Sequence, residues 1–298
     1  MDCRDKKILF IINKHSGVGY QATVEGLILN ACKENRADCT IEYTQRRGHA
    51  ISLANNASKN GFDYVVAVGG DGTINEVAQG LLHSSTPMGI LPRGSGNGLA
   101  RHLGVPVKLS EAIRSLFSNK IVRIDTLTVN GKLSLNVSGI GFDGHIANLF
   151  ADRKIRGLFG YVRLVLKELF NFQEFEAEIS FNEMTSTQKA FIIGIANSSQ
   201  YGNNIKIAPL ASVCDGLLNI TVLKKVPLYN LKFIYGFLRG SLKKSDMCDM
   251  LNATAVRIKT STPVPYHVDG EPCGLSNSYT IQLNAASLPI LVPPTFLT

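Results

Sequence analysis

A carboxylate lies between glycines in the stretch VGGDGTINEV, residues 68–77. An apolar run over 64–69 leads into two glycines, which are followed by Asp71, a third glycine and Thr73 at the start of a helical pattern. Glycines after a strand let the backbone approach phosphate closely, and a carboxylate beside such a ligand needs a cation or a proton transfer to offset its charge. A helix N-cap is the structural alternative, but Thr73 caps equally well, so capping explains only one of the two residues.

Glycine-bearing turns of the same kind follow other predicted strands. NKHSGVG (13–19), PRGSGNG (92–98) and SGIGFDG (138–144) join VGGDGT (68–73), and three of the four precede helices in the first half of the chain. Helix N-termini direct N–H groups at anions, so three such turns at one sheet edge predict a nucleotide phosphate site. For one such turn alone, a tight turn without a phosphate ligand explains the glycines equally well. SGIGFDG also matches the dinucleotide pattern GxGxxG, which by itself is a weak signal.

Composition narrows the classes of site and partner. The chain has 298 residues, of which 45% are hydrophobic and 18% charged, as is ordinary for a folded protein with a core. Six cysteines form no CxxC pair, six histidines form no HExxH pattern, and GxxxxGK[ST] does not occur, so neither a zinc site nor a P-loop is predicted. A net charge of +8 favours an anionic partner, either a nucleotide or an anionic membrane, and no aromatic–basic pattern indicates nucleic acid.

The amino terminus, MDCRDKKILFIIN, is charged and runs directly into a predicted strand. It lacks the order of regions that defines a signal peptide, and no apolar run approaches the roughly 18 residues that span a bilayer. We therefore expect a cytoplasmic protein whose contact with a membrane is peripheral. The sequence leaves open whether two copies form a homodimer.

Alternating strands and helices are predicted for the first third of the chain. Short apolar strands separated by helical patterns indicate a parallel sheet covered on both faces, in which ligands bind at the carboxyl ends of the strands. The predicted strands are 7–13, 38–44, 64–69 and 88–91, and the predicted helices are 18–35, 49–60, 73–83 and 97–103.

From about residue 123 the pattern changes to antiparallel β. Asn130-Gly131 between apolar runs is the strongest short signal for a hairpin. We therefore expect an α/β domain over 1–124 and an antiparallel β-sandwich domain over 125–286, with the tail 287–298 able to return to the first domain. The predicted strands are 122–129, 132–138, 174–182, 188–197, 217–225, 254–261, 264–269 and 279–284, and the predicted helices are 144–171 and 228–240.

In order along the chain, these motifs resemble the diacylglycerol kinase catalytic-domain family, which includes bacterial lipid kinases and is related to sphingosine kinases. The resemblance implies a Rossmann-like α/β domain of the NAD kinase and phosphofructokinase type followed by a β-sandwich. It also implies ATP- and Mg²⁺-dependent phosphorylation of a lipid hydroxyl, with diacylglycerol as the first candidate acceptor. The segments that resemble the family are NKHSG (13–17), TQRRGHA (44–50), GGDGTINEV (69–77), LPRGSGNGLAR (91–101), GIGFDG (139–144), APLASVCDG (208–216), VDGEP (268–272) and LPILVP (288–293).

The resemblance implies roles for individual residues. Glu271, between glycine and proline after an apolar strand, is implied as the general base, with Asp71 as the rival base or as a ligand of Mg²⁺ or water. Asp215, with backbone carbonyls near Ser212 and Leu217, is implied as the Mg²⁺ site. The residues implied to hold ATP are Asn13, Ser16, Gly17, Thr44, Gly69, Gly70, Gly72, Thr73, Asn75, Glu76, Gly94, Ser95 and Asn97.

Two departures from the family pattern bear on the lipid substrate. Lys14 stands where the family has proline, and residues 97–100 read Asn-Gly-Leu-Ala where bacterial diacylglycerol kinases read Asn-Asp-Phe-Ala. GSGN and TQRRGHA are closer to the sphingosine kinase branch, so a sphingoid base or another lipid stays open as the acceptor. A more distant alternative is a soluble-substrate kinase of the NAD kinase type, although VDGE and PxAxxxDG fit lipid kinases better.

Lipid contact is predicted in the second half of the chain. The resemblance implies that Asp143 faces the lipid headgroup. The stretch 153–170, RKIRGLFGYVRLVLKELF, alternates basic residues with Leu, Phe and Val, so it is either an amphipathic core helix or a lid over the acyl chain that faces an anionic membrane. Lys224-Lys225 and Lys243-Lys244 add positive charge to the same half, either as attraction to lipid or as solvated residues.

Overall fold

The chain forms two compact units, one made of Met1–Asp125 with Ala285–Thr298 and the other of Thr126–Asn284. Two long strands run through the points where the chain passes from one unit to the other. The side chains of 151–152, 158–162 and 238 are not described. The residues that the computed structural model describes are 5–17, 23–152, 158–202, 205–227 and 229–297.

In the first unit, strands alternate with helices around a parallel sheet. The strands pair in the order β2-β1-β3-β4, all parallel, and the end of β16 adds to β4 in parallel through Ile290 and Met88. This arrangement confirms the predicted Rossmann-like α/β domain. The elements are β1 (Lys7–Ile12), α1 (Thr23–Glu34), β2 (Asp38–Tyr43), α2 (His49–Lys59), β3 (Tyr64–Gly69), α3 (Asp71–Leu81), β4 (Met88–Pro92), α4 (Gly98–His102), α5 (Leu109–Leu116), the start of β5 (Lys120–Val129) and the end of β16 (Glu271–Val292).

Apolar strands and small helix residues hold this unit together. Every residue of β3 and β4 is buried, as expected of central strands covered by helices on both faces. Helices α2 and α3 approach closely, because a Cβ on Gly80 of α3 would lie 2.4 Å from the carbonyl oxygen of Ile51 in α2 and 2.7 Å from the Cβ of Ala54. A larger residue at Gly80 would therefore push the two helices apart.

The second unit is built on an antiparallel sheet. Its strands follow the order β14-β13-β10-β7-β15-β16, and β8 pairs with both β15 and β9. The core is formed by apolar side chains such as Ile195, Ile220, Ile258 and Tyr279, each at 0% exposure. Its elements, after the end of β5, are β6 (Lys132–Ser134), β7 (Val137–Gly141), α6 (Phe142–Asp152), α7 (Leu158–Asn171), β8 (Phe175–Phe181), β9 (Met184–Ala190), β10 (Ile192–Ala196), β11 (Gln200–Gly202), β12 (Ile205–Lys206), β13 (Leu218–Leu223), α8 (Leu231–Leu238), β14 (Cys248–Ala253), β15 (Ala255–Val268) and the start of β16.

In two hairpins of the second unit, a two-residue turn with positive φ joins the two strands. The hairpin predicted at Asn130-Gly131 is confirmed, with φ of 48° and 77° and with Val129 paired to Lys132. Asp269 and Gly270 connect β15 to β16 in the same way, with φ of 50° and 84°. Such angles at both central residues belong to the turn that matches the twist of the flanking strands.

Several predicted boundaries were wrong in an informative way. The strands predicted over 254–261 and 264–269 are one strand, β15, because an irregularity between Lys259 and Val264 accommodates a proline that a regular ladder would not. The strand predicted over 279–284 is part of the 22-residue β16, whose path bends at Ala286, where φ is 46°. Among the other differences, 132–138 divides into β6 and the start of β7, 188–197 divides into the end of β9 and β10, and 144–171 comprises α6 and α7. Helix α3 begins at Asp71, and α5, β11, β12 and β14 were not predicted.

Candidate active site

Three glycine turns of the first unit meet at the carboxyl edge of its parallel sheet. A Cβ on Gly17, after β1, would lie 2.1 Å from the carbonyl oxygen of Arg93, after β4. A Cβ on Gly94 would lie 2.7 Å from the Cα of Gly70, after β3, and a Cβ on Gly70 would lie 3.3 Å from the Ser16 hydroxyl oxygen. The backbones of the three turns therefore touch each other where larger residues would separate them.

Asn13 connects the first of these turns to helix α3. Its Nδ2 donates to the hydroxyl oxygen of Thr73 at 3.0 Å, and its Oδ1 accepts from the backbone N–H of His15 at 2.9 Å. Gly69 lies beneath this pair, because a Cβ there would be 2.6 Å from the Thr73 side chain. Thr73 is buried, so its hydroxyl is held inside the protein.

The start of α3 faces the turns with backbone N–H groups. Gly70 is the N-cap residue and has no side chain to accept their hydrogen bonds, and the first bond within the helix runs from the Ile74 N–H to the Gly70 carbonyl oxygen. Helix N-termini of this kind attract anions through their N–H groups and the helix dipole. The arrangement is therefore suited to a phosphate group.

Asp71 fastens the β4 turn to the start of α3. Its two carboxylate oxygens accept from the backbone N–H groups of Asn97 and Gly98, each at 2.9 Å. The sequence offered a helix N-cap as the alternative role of Asp71. In the structure Asp71 does cap a helix, but it caps the beginning of α4 and not that of its own helix α3. Its predicted roles as base or metal ligand stay predictions.

Asn97 closes the β4 turn on itself. Its φ is 50°, its Oδ1 accepts from the Gly94 N–H at 2.8 Å, and its Nδ2 donates to the Gly94 carbonyl oxygen at 2.8 Å. The guanidinium Nε of Arg101 donates to the Gly96 carbonyl oxygen at 3.1 Å. These bonds fix the backbone of the turn, while Ser95 at its tip is exposed.

Other residues predicted to hold ATP have different surroundings. Thr44 follows β2, and its N–H donates to the Ile12 carbonyl oxygen at 3.0 Å, so its hydroxyl lies at the carboxyl end of the sheet. Gly72 is exposed in the first turn of α3. Asn75, one turn further on, accepts through Oδ1 a hydrogen bond from Nε2 of Gln79 at 2.7 Å.

Glu76 uses both carboxylate oxygens at the start of α2. Oε1 accepts from the Gly48 N–H at 2.8 Å and Oε2 from the Ala50 N–H at 3.2 Å. The resemblance implied that Glu76 holds ATP, which stays a prediction. The capping role was missed because it depends on the packing of α2 against α3.

Removal of the Glu76 carboxylate is expected to weaken α2. We predict that Glu76→Ala lowers the free energy of unfolding by about 1 kcal/mol, because a lost N-terminal cap costs about that much. Urea denaturation monitored by circular dichroism measures the change. Glu34→Ala removes an exposed carboxylate from the last turn of α1 and serves as the control, and equal stability of the two variants would contradict the capping role.

In the second unit, the turn before Glu271 is anchored by Asp269. The Asp269 carboxylate accepts from the Ser134 hydroxyl at 2.8 Å, from the Leu135 N–H at 2.8 Å and from the Asn136 N–H at 3.0 Å. Glu271 follows this anchored turn as the first residue of β16, and it is exposed. The predicted base therefore has a fixed backbone and a side chain open to solvent.

Asp143 lies in a cluster that the sequence did not predict, in which His267 is buried and Asp143 and Tyr201 are half-buried. Its Oδ2 accepts from the Tyr201 hydroxyl at 2.7 Å and lies 3.3 Å from Nε2 of His267. The other ring nitrogen of His267, Nδ1, accepts from the Gly270 N–H at 3.0 Å, so Nε2 carries the proton toward Asp143. His267 thus connects Asp143 to the turn before Glu271.

The signal for this cluster was weak in the sequence. His267 lies near the end of β15, but nothing in the order of residues indicates that His267 or Tyr201 reaches Asp143. A Cβ on Gly139 would lie 1.8 Å from Oδ2 of Asp143, which explains why a glycine stands there. The predicted contact of Asp143 with a lipid headgroup stays a prediction.

Asp215 occupies a tight turn in the predicted metal segment. Its Oδ1 accepts from the Leu217 N–H at 3.0 Å, and the Ser212 hydroxyl oxygen accepts from the Cys214 N–H at 3.3 Å. Across the described residues, no three side chains of His, Cys, Asp or Glu gather as a metal-binding group. A cation here would be held by one carboxylate, hydroxyl and carbonyl oxygens and water, which is a donor set that fits Mg²⁺.

Comparison with known proteins assigns this chain to a family. A family model described as the diacylglycerol kinase catalytic domain matches residues 7–129, and one described as the YegS C-terminal NAD kinase beta sandwich-like domain matches residues 136–292. A protein of Pseudomonas syringae pv. tomato named "Probable lipid kinase YegS-like" is 30% identical over 236 residues, which cover 78% of this chain and 77% of that protein. The chain belongs to the YegS-like lipid kinase family.

Further relatives agree with this membership. A protein of Chromohalobacter salexigens with the same name is 29% identical over 240 residues, covering 78% of this chain and 77% of its own. A solved structure of a diacylglycerol kinase from Bacillus anthracis str. Sterne covers 98% of each chain with a TM-score of 0.77 and 21% identity, which shows a shared fold. The predicted resemblance and the predicted α/β plus β-sandwich fold are confirmed.

Lys14, which departs from the pattern of this lipid kinase family, lies over an aromatic ring. Its Nζ is 3.7 Å from the centroid of the Tyr43 ring. The Tyr43 hydroxyl donates to Glu25, and this bond raises the pKa of Tyr43 to about 12. The ammonium group of Lys14 therefore lies against the last residue of β2, beside the first glycine turn.

The structure describes the helix predicted over 153–170 only in part. Arg153, Lys154 and Arg156 lie outside the described residues. In α7, Leu164 is buried at 3% exposure in a cluster with Phe142, whereas Leu166 and Phe170 are exposed at 56% and 61%. The described part therefore packs one face on the core and leaves apolar side chains on the other. Nowhere in the described chain is a helix long and apolar enough to cross a bilayer.

Proposed function

We propose that this protein is an ATP- and Mg²⁺-dependent lipid kinase that transfers the γ-phosphate of ATP to a lipid hydroxyl, with diacylglycerol as acceptor and phosphatidic acid as product. The observation that carries the proposal is the meeting of three glycine turns with the start of α3 at one sheet edge. Membership of the lipid kinase family supports the acceptor class. The protein would act in the cytoplasm at the surface of a membrane and supply phospholipid biosynthesis.

ATP would bind with its phosphates on the glycine turns. A side chain on Gly17 or Gly94 would collide with a neighbouring turn, and one on Gly70 would be crowded. With glycine at all three positions, a phosphate chain can approach the backbone N–H groups there. The Ser16 hydroxyl, close to Gly70, would donate to a phosphate oxygen. Asp71 and Asn97 support this role from behind, because their hydrogen bonds fix the β4 turn in place.

Substitution of Gly17 is expected to disrupt this phosphate site. Gly17→Ala would place a Cβ 2.1 Å from the Arg93 carbonyl oxygen, so the β1 and β4 turns must separate. We predict that turnover falls about 10²-fold, because a displacement of about 1 Å in a positioning group has an effect of that size. Turnover and ATP affinity, measured together, record the change.

Gly61→Ala is the matched control for Gly17→Ala. Gly61 has the same φ of 74°, but its Cβ would meet no atom within 4 Å. Both variants have a left-handed residue that costs about 1–2 kcal/mol, whereas only one separates the turns. Equal turnover in the two variants would show that backbone strain, and not the contact of the turns, is responsible.

Mg²⁺ would be held by Asp215 with oxygens from the 212–217 segment and water. When bound, the ion would supply positive charge that offsets the phosphates or fixes the substrate domain. Oδ1 of Asp215 is engaged with the Leu217 N–H, so Oδ2 is the oxygen that would face the ion.

Glu271 would act as the general base. Its carboxylate would take the proton of the acceptor hydroxyl while the hydroxyl oxygen bonds to the γ-phosphorus and the bond from that phosphorus to ADP breaks. The anchored Asp269-Gly270 turn supports this role, since it gives the base a fixed backbone. Asp71 is the second candidate for the proton, although two N–H groups already occupy its oxygens.

A panel of acceptors tests the proposed function. Purified protein is given labelled ATP, Mg²⁺ and mixed micelles of diacylglycerol, monoacylglycerol, ceramide, sphingoid base or phosphatidylglycerol. We expect labelled phosphatidic acid from diacylglycerol, with transfer lost when Mg²⁺ is chelated. Label in the sphingoid base would favour the sphingosine kinase branch, which GSGN and TQRRGHA resemble. No labelled lipid, but labelled NADP from NAD, would overturn the proposal.

A further inference from the structure

Helix α8 in the second unit presents aromatic and aliphatic side chains to solvent. Phe233 and Phe237 pack on a buried cluster that includes Ile207 and Leu242. The opposite side leaves Leu231 70% and Tyr235 60% exposed, and Tyr229 just before the helix is 87% exposed. We call Tyr229, Leu231, Lys232, Tyr235 and Arg239 the α8 face.

Positive charge flanks α8 along the chain. The segment 224–244 contains six lysine and arginine residues and no aspartate or glutamate. Lys244 pairs with Asp249 at 2.8 Å, and Lys225 donates to the Phe172 carbonyl oxygen at 2.7 Å at the end of α7. Within the described chain, no ion pair engages Lys224, Lys232 or Lys243, and each is exposed.

Lys232 lies at a position where its charge does not stabilise α8. It lies in the first turn of α8, where the helix dipole disfavours a cation. Arg239, at the other end, places its guanidinium 5.0 Å from the centroid of the Tyr235 ring, so charge and aromatic surface lie together. Since neither packing nor helix stability explains Lys232, its charge is available for a partner.

We propose that the α8 face docks on an anionic phospholipid bilayer, an inference that rests on the proposed lipid kinase function. Tyrosine favours the headgroup level of a membrane, leucine favours the acyl boundary, and lysine and arginine are attracted to anionic lipids. A face with cations around an apolar centre and no carboxylate matches that chemistry. Two copies meeting through this face would oppose cation to cation, because a twofold interface pairs a surface with itself.

Vesicle binding tests the apolar part of the α8 face. We expect the full-length protein to sediment with vesicles of phosphatidylglycerol and phosphatidylcholine and to bind pure phosphatidylcholine vesicles far more weakly. The double variant Leu231→Ser, Tyr235→Ser is expected to bind at least about tenfold more weakly, because the side chains it removes enter the bilayer. Met184→Ser removes another exposed apolar side chain, at 57%, from the start of β9 and is expected to bind as the wild type does.

Reversal of one charge separates docking from folding. Lys232→Glu is expected to weaken vesicle binding by roughly tenfold, while its thermal midpoint stays the same or rises because a carboxylate in the first turn favours the helix. Lys59→Glu, in the last turn of α2, is the charge-matched control and should keep vesicle binding. Added NaCl should weaken binding of the wild type and have less effect on Lys232→Glu.

The outcomes distinguish this inference from the proposed function. Vesicle binding that is equal in the wild type, the double variant and Lys232→Glu would overturn docking through α8, as would a wild type that ignores anionic vesicles. Dissociation of a wild-type dimer by the same substitutions, without an effect on vesicles, would also overturn it in favour of a second copy. Kinase activity on lipid in detergent micelles is expected to persist in all variants. If the protein bound vesicles through α8 but phosphorylated no lipid, the proposed kinase function would be wrong and the docking surface would still be supported.

Discussion

Replacement of Glu271 by glutamine is expected to lower kcat by about 10²–10⁴-fold, the usual contribution of a general base, while ATP still binds. Glutamine keeps the shape of the side chain but cannot take a proton. Because Glu271 is exposed, the thermal midpoint should not change. Turnover of diacylglycerol in micelles and titration of ATP by calorimetry measure the two quantities separately.

Glu183→Gln is the matched control for this experiment. Glu183 is an exposed glutamate at the tip of the β8–β9 hairpin in the same unit, in a turn that also has positive φ. We expect Glu183→Gln to be as active as the wild type. If Glu271→Gln kept its turnover and Asp71→Asn lost it, the proton would go to Asp71 and the proposed roles would have to be exchanged.

Asp71→Asn is expected to have the second largest effect, on both stability and ATP binding. Asparagine can accept one of the two N–H groups, from Asn97 or Gly98, but turns its own NH₂ toward the other. We predict that the free energy of unfolding falls by about 2 kcal/mol, the typical value of a hydrogen bond to a charged group. ATP affinity should fall as well, because the β4 turn is released. Urea denaturation and ATP titration of one protein preparation record both changes.

Asp63→Asn separates these two effects. Asp63 also accepts two N–H donors, the Lys7 backbone N–H and the Lys6 ammonium, each at 2.9 Å, but at the amino end of the same sheet. We expect its substitution to reduce stability and to leave ATP affinity unchanged. A normal ATP affinity in Asp71→Asn would show that the β4 turn does not hold the nucleotide.

Local patterns in the sequence predicted the architecture well. Buried apolar runs such as 64–69 and the spacing of helical patterns predict a parallel sheet, because strand and helix periods are properties of neighbouring residues. Asn130-Gly131 predicted its hairpin for the same reason, since positive φ is favoured by those two residue types. Long elements with irregularities were harder: β15 and β16 were predicted as fragments because prolines and a bend interrupt the pattern without ending the strand.

Partners of polar side chains could not be predicted in this way. Glu76 caps α2 from a neighbouring helix, and the bond joining Asp143 to His267 spans 124 residues. Which hydrogen bond forms depends on atoms brought together by the packing of distant segments, and no local period records that. The exposure of apolar side chains also depends on the packing of distant segments. Helices α7 and α8 each bury some of their apolar residues in the core and leave others in solvent.

The sequence by itself determined the fold class, the family, the order of the glycine turns and the residue types that phosphoryl transfer requires, because each of these is written in short contiguous motifs. Only the tertiary structure decided that Asp71 fastens the β4 turn, that Asp269 anchors the turn before Glu271 and that α8 turns a basic, apolar face to solvent. Those facts follow from the three-dimensional packing, which sets the distance between groups far apart in the chain and the side of each helix that remains exposed.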